Sequence, residues 1–142
     1  YLKKTCKLSL RIRKTTEKDV SNYKFTFKRQ IKNKVIEIEN EISAKDYYYL
    51  LRVSRGNLTK SRYEYKGYEI DFFKDENRDI YFVQAEIELP EHIDFPKRIP
   101  DLIHDNLLHI VEKNDNRFTS RKLSNITYAK KLFTFLTEKA ER

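Results

Sequence analysis

One cysteine, two glycines, three prolines, three histidines and no tryptophan or methionine are the scarce residues of this chain, and most of these scarcities exclude something. A lone Cys6 cannot form an internal disulfide, and with so few histidines it leaves no ligand set for zinc. A reducing cytoplasm is therefore the expected setting, with Cys6 a buried thiol or strand filler. Gly56 and Gly67 are too few to make a phosphate-wrapping loop, so the P-loop and the dinucleotide fingerprint are both excluded. Any polyphosphate site must use side chains. No apolar run reaches the length of a bilayer span and no signal-peptide pattern is present, so no membrane association is expected.

Charge is abundant. Thirty Lys and Arg against 22 Asp and Glu leave +8 over 142 residues, which favours an anionic partner. Aromatics at 13% are too frequent for a disordered chain. The length suits a single domain over 1–142.

Period-two alternation marks strands. Leu8, Leu10 and Ile12 alternate with Ser9, Arg11 and Arg13; Phe25 and Phe27 with Lys24, Thr26 and Lys28; Ile36 and Ile38 with Glu37 and Glu39. The pattern resumes with Ser61, Tyr63 and Tyr65 against Lys60, Arg62 and Glu64, then Tyr68, Ile70 and Phe72 against Glu69 and Asp71. It closes with Tyr81, Val83, Ala85, Ile87 and Leu89 against Phe82, Gln84, Glu86 and Glu88. Polar stretches at 15–22, 32–34 and 74–79, with the Lys66-Gly67 pair, predict short antiparallel connections. Ser43 predicts the N-cap of a helix from Ala44 to Val53. Apolar spacing predicts further helices over Asp101–Val111 and Thr127–Ala140.

The polar rows are sorted by sign. Arg11 with Arg13, Lys24 with Lys28, and Lys60 with Arg62 are cationic; Glu37 with Glu39, Glu69 with Asp71, and Glu86 with Glu88 are anionic. Residues i and i+2 lie about 6.6–7 Å apart on one face. Like charges there repel by about 2.4 kcal/mol at an effective dielectric of roughly 20, and by about 0.6 kcal/mol in bulk water. A solvated face tolerates the smaller cost. A sheltered one needs compensation, and a metal-bound polyphosphate would serve both signs at once.

In order along the chain, Arg11-Ile-Arg13, Phe25-Thr-Phe-Lys28, Glu37-Ile-Glu39, Leu58-Thr-Lys60-Ser-Arg62, Tyr68-Glu-Ile-Asp71 and Ala85-Glu86-Ile-Glu88 resemble the CYTH domain of the triphosphate tunnel metalloenzymes. Asp115-Asn-Arg117-Phe118 is a weaker echo. The resemblance implies an α+β fold: an antiparallel eight-stranded β-barrel, open as a tunnel, with helices packed outside. It implies that Arg11, Arg13, Lys28, Lys60, Arg62 and Arg117 hold the phosphates. Glu37, Glu39, Asp71, Glu86 and Glu88 would hold Mg2+ or Mn2+, with Lys60 and Glu39 in catalytic roles. Nothing before Leu8 carries the Glu-x-Glu-x-Lys signature of the family's first strand, so that strand is expected upstream of Tyr1.

The implied activity is metal-dependent hydrolysis of a small-molecule triphosphate, inorganic or organic, by a monomer or homodimer. A class IV adenylyl cyclase is the nearest alternative, but no residue set marks an adenine pocket. A binding module for RNA or polyphosphate is the alternative of another class, with Tyr47, Tyr48, Tyr49, Tyr63, Tyr65, Tyr68 and Phe72 as stacking platforms. Core packing explains those aromatics better, and the acidic rows would repel a phosphate backbone, so nucleic acid is not the expected partner. His92, His104 and His109 are read as surface or capping residues.

Overall fold

The computed structural model describes residues 8–142. Cys6 lies outside the described residues. The chain divides into two compact units, Tyr1–Arg55 and Gly56–Arg142.

The first unit is a three-stranded antiparallel sheet of order β1-β2-β3, built from β1 (Leu8–Glu17), β2 (Val20–Ile31) and β3 (Lys34–Glu41), followed by helix α1 (Ala44–Val53). The first hairpin is tighter than its polar residues suggest. β1 and β2 run on through 15–17 and 20–22, and the turn is only Lys18-Asp19, both at positive φ. Two such residues give the twist that matches paired strands. The helix begins as expected, because the Ser43 hydroxyl accepts from the Asp46 N–H at 3.0 Å. Tyr47 and Tyr48 of α1 then meet Tyr23 of β2, and the Lys14 ammonium donates to the Tyr48 hydroxyl at 3.1 Å. The tyrosine pair therefore acts as the helix anchor.

The second unit has its own antiparallel sheet of order β4-β5-β6, comprising β4 (Thr59–Tyr65), β5 (Tyr68–Lys74) and β6 (Ile80–Glu86). After it come α2 (Asp101–His104), a 3-10 turn (Asn116–Phe118), α3 (Ser120–Leu123) and α4 (Ile126–Ala140). Phe73, Phe82, Phe118, Leu123, Ala129, Leu132 and Leu136 form the core, with Leu58, Tyr81 and Tyr128 against it. The register puts Lys60, Phe73 and Phe82 side by side, one residue pair away from Arg62, Asp71 and Gln84 on the same face. The core thus grows from one end of the charged face. Tyr63 and Val83, on the opposite face, are 62% and 50% exposed.

Two expectations are corrected here. The eight-stranded barrel is not formed: the described residues make six strands in two separate three-stranded sheets, with no closed barrel. Closure requires every strand to have two partners, and among the described residues β1, β3, β4 and β6 each pair along one side only. The helix expected over Asp101–Val111 stops at His104, where the Asn106 side-chain amide donates to the Leu102 carbonyl and takes the place of the next helical N–H. The tail helix forms as expected and starts one residue earlier, at Ile126. The side chains of Arg121, Lys122, Lys130 and Lys131 are exposed, as read from the sequence.

Leu123 has no solvent exposure, whereas Leu10 is 61% exposed. Leu123→Ala should cost about 2–5 kcal/mol of unfolding free energy, and Leu10→Ala less than about 1 kcal/mol. Urea unfolding followed by circular dichroism measures both; equal losses would contradict this placement of the core.

Candidate functional site

On the polar face of the first sheet, cross-strand pairing arranges the signs in columns. Ser9 faces Lys28 and then Glu37; Arg11 faces Thr26 and then Glu39; Arg13 faces Lys24 and then Glu41. The lysines of β2 are neutralised by β3. Lys24 donates to Glu39 Oε1 at 2.8 Å, and Lys28 lies 3.3 Å from Glu37 Oε2. Thr26, 3% exposed, donates from its hydroxyl to Glu39 Oε2 at 3.1 Å. These bonds from Lys24 and Thr26 hold the Glu39 carboxyl below its ordinary value.

Arg11 and Arg13 on the outer strand are different. Their cross-strand neighbours are a threonine and a lysine, and neither guanidinium makes an ion pair among the described residues. Burial, and then the charge of Arg13, push the Arg11 pKa below its usual value, with Glu37 and Glu39 partly opposing. Arg11 and Arg13 are thus neighbouring cations without a direct ion pair among the described residues, answered at longer range by Glu37 and Glu39.

The second sheet carries a different arrangement. Asp71 is buried at 3% exposure; its Oδ1 accepts from Arg62 Nε at 2.7 Å, and its Oδ2 accepts from Arg62 Nη2 at 2.8 Å and Lys60 Nζ at 2.5 Å. Arg62 also reaches Glu69 Oε2 through Nη1 at 2.6 Å. Burial alone would raise the Asp71 carboxyl; the hydrogen bonds from Arg62 and Lys60, together with their charges, outweigh it and leave it lowered. The bond to Asp71 raises the Arg62 pKa in turn. Beyond this row, Glu64, Glu69 and Glu86 stand directly opposite one another across the three strands. That row was not read from the sequence, since its members are 5 and 17 positions apart and only the register aligns them. Glu86 Oε1 accepts from the Gln84 amide at 2.9 Å, and Glu88 is exposed beyond the end of β6.

Arg117 sits in the 3-10 turn, bound through Nε and Nη2 to Asp115 at 2.6–3.0 Å, and its guanidinium covers Phe118. The bonds from Arg117 hold the Asp115 carboxyl down to about 2. The arginine expected on phosphate is thus engaged in fixing a turn over the core. His109 stacks on Phe118 at 5.5 Å, His104 lies beside Asp105, and His92 is exposed.

The carboxylates differ in their fitness for a divalent metal. Magnesium keeps several waters and takes one or two protein carboxylates beside phosphate oxygens. Glu37 keeps one oxygen without a hydrogen bond among the described residues, whereas both oxygens of Glu39 are engaged by Lys24 and Thr26, and both of Asp71 by Lys60 and Arg62. Among the described residues, no three His, Cys, Asp or Glu side chains are placed to hold a metal ion. No described helix is long and apolar enough to cross a membrane. No family model matches the chain, and no curated protein or solved structure does either.

The lowered Asp71 carboxyl sets a pH dependence. Its contribution to stability is complete above the unfolded-state value, about 3.9 for an aspartate, and is lost as pH falls through the lower folded value. The gap in urea midpoint between wild type and Asp71→Asn should hold steady from pH 7 to pH 5 and narrow toward pH 2. An unchanged gap at pH 2 would remove the ion pairs as its cause.

Proposed function

We propose that the chain hydrolyses a triphosphate carried with Mg2+ or Mn2+, and that the polar face of β1-β2-β3 binds it. The observation that carries this reading is the unpaired Arg11–Arg13 couple beside a column of carboxylates on the same face. The order of the charged motifs along the chain, which resembles the CYTH domain, supports it.

Phosphoryl transfer requires little of the protein beyond positioning and charge neutralisation. Arg11 and Arg13 would take the phosphate oxygens, each guanidinium offering paired N–H groups matched to them. Lys24 and Lys28, half-exposed and tied only to Glu39 and Glu37, can turn toward an arriving polyanion. Glu39 is held by Lys24 and Thr26, whereas Glu37 keeps one oxygen without a hydrogen bond among the described residues. Glu37 is therefore the carboxylate available to hold the attacking water. The water oxygen bonds to the terminal phosphorus as the bond to the bridging oxygen breaks, yielding orthophosphate and diphosphate. The divalent ion, when bound, supplies neutralisation at the phosphate oxygens.

Release of orthophosphate from tripolyphosphate with magnesium is the direct assay. A charge-assisted hydrogen bond contributes about 1.5–3 kcal/mol, so Arg11→Ala and Arg13→Ala should each lower kcat/KM by about ten- to a hundredfold. Chelation should abolish release. Equal turnover by wild type and the double arginine variant would defeat the assignment.

A further inference from the structure

We propose that a pocket at the hairpin end of the second sheet binds a small organic anion, its charged head held by Lys66, Arg98 and the Tyr68 hydroxyl and its apolar body by Ile87 and Pro100. The pocket uses none of the residues assigned to the triphosphate and does not rest on that reading.

Strand register begins the pocket. Tyr68 pairs with Tyr65 across the Lys66-Gly67 turn, on the face opposite to Arg62, Asp71 and Glu69. Ile87 follows the last residue of β6, and Arg98 and Pro100 belong to the segment leading into α2. Together with Lys66 and Tyr68 they line a pocket of about 270 Å3. Tyr68 is 6% exposed and lies outside the core cluster around Phe73 and Phe82. Its hydroxyl is buried and has no hydrogen-bond partner among the described residues. Buried hydroxyls are nearly always bonded, and one left unpaired is a cost to the fold that a bound group removes.

The lining selects the ligand. Its two charged members are cations, and no carboxylate stands among them. Lys66 has no ion pair among the described residues; its ammonium lies 5.3 Å from the Tyr65 ring centroid. Arg98 has Asp101 at 3.8 Å, with the two side chains 81% and 83% exposed, a contact too long and too wet to hold it. A carboxylate or phosphate head can therefore take donors from both cations and from the Tyr68 hydroxyl, which donates as well as accepts. Ile87, Pro100 and the Tyr68 ring offer apolar surface to the rest of the molecule. Pockets for drug-sized ligands run to roughly 300–1,000 Å3, so this smaller one limits the body to about one ring. The hydroxyl is closed to bulk water, so the anion reaches it as the lining shifts, and the exposed Lys66 and Arg98 side chains are the members able to move.

The test is nitrogen-15 NMR titration of the full chain with benzoate and with phenyl phosphate, against phenol as the neutral analogue. At least one anion should shift the amide signals of Lys66, Gly67, Tyr68 and Arg98, and the tighter of the two identifies the head. Phenol should leave them in place. Tyr68→Phe and the double variant Lys66→Ala/Arg98→Ala should each weaken binding about tenfold, the order expected for a charge-assisted hydrogen bond. Arg11→Ala/Arg13→Ala should bind as wild type does. Failure of both anions to move those signals overturns the proposal, as does wild-type affinity in Tyr68→Phe or in the Lys66/Arg98 variant, equal binding of phenol, or loss of binding without Arg11 and Arg13. A second readout needs no ligand. Free Tyr68→Phe should unfold at the urea concentration of wild type or higher, because the hydroxyl it removes has no partner; a lower midpoint would mean that a fixed water already answers the hydroxyl, and would also overturn the proposal. Phosphate release from tripolyphosphate tests the proposed function alone, so the two fail separately.

Discussion

Charge compensation across strands is the interaction on which the polar faces of both sheets depend. Along one strand, like charges two residues apart stand about 6.6–7 Å from each other. Directly opposed residues on neighbouring strands are closer, about 4.5–5.5 Å between Cβ atoms. A cationic strand laid beside an anionic one therefore gains more from its neighbour than it loses along itself. Lys28 on β2 directly opposite Glu37 on β3 follows this rule, as do Arg62 and Asp71 across β4 and β5, while Lys24, opposite Glu41, pairs diagonally with Glu39. Same-sign rows alone do not demand an external ligand; most of them are neutralised within the fold.

The exceptions then gain meaning. Arg11 and Arg13 occupy an outer strand whose one described neighbour offers threonine and lysine at the facing positions. Glu64, Glu69 and Glu86 form a row of one sign across the second sheet, with Arg62 as the one ion-pair partner of Glu69. Charge left over after the internal pairs are counted is where binding is most economically sought. By the same accounting both oxygens of Asp71 are already engaged by Lys60 and Arg62, while Arg117 is bound to Asp115 through Nε and Nη2; each contact secures a local structure, the cationic pair in one case and a turn over Phe118 in the other.

Much of the local structure was legible in the residues. The six strands were marked by period two, α1 by the Ser43 cap and the tail helix by its apolar spacing, because these signals depend only on nearby positions. The short 3-10 turn and α3 carry no such period and went unread. Polar residues at 15–17 and 20–22 suggested a loop, yet they pair as strand because Lys18 and Asp19 alone make the turn. The helix expected after Pro100 ends early because Asn106 turns its side chain back onto the backbone. For the candidate site, the identity of the charged residues and the face they share were readable, while Thr26, Lys24, Glu64 and Glu69 took on their roles only through register.

By itself the amino-acid sequence determined which residues alternate, which face each would occupy, and that two glycines make no glycine-rich phosphate loop. Those are properties of spacing and composition. The tertiary structure decided that the described strands form two three-stranded sheets, that the core grows from the charged face through Phe73 and Phe82, and which charges are already answered. These are outcomes of pairing between distant segments, and a one-residue change of register would rewrite all of them without altering the alternation.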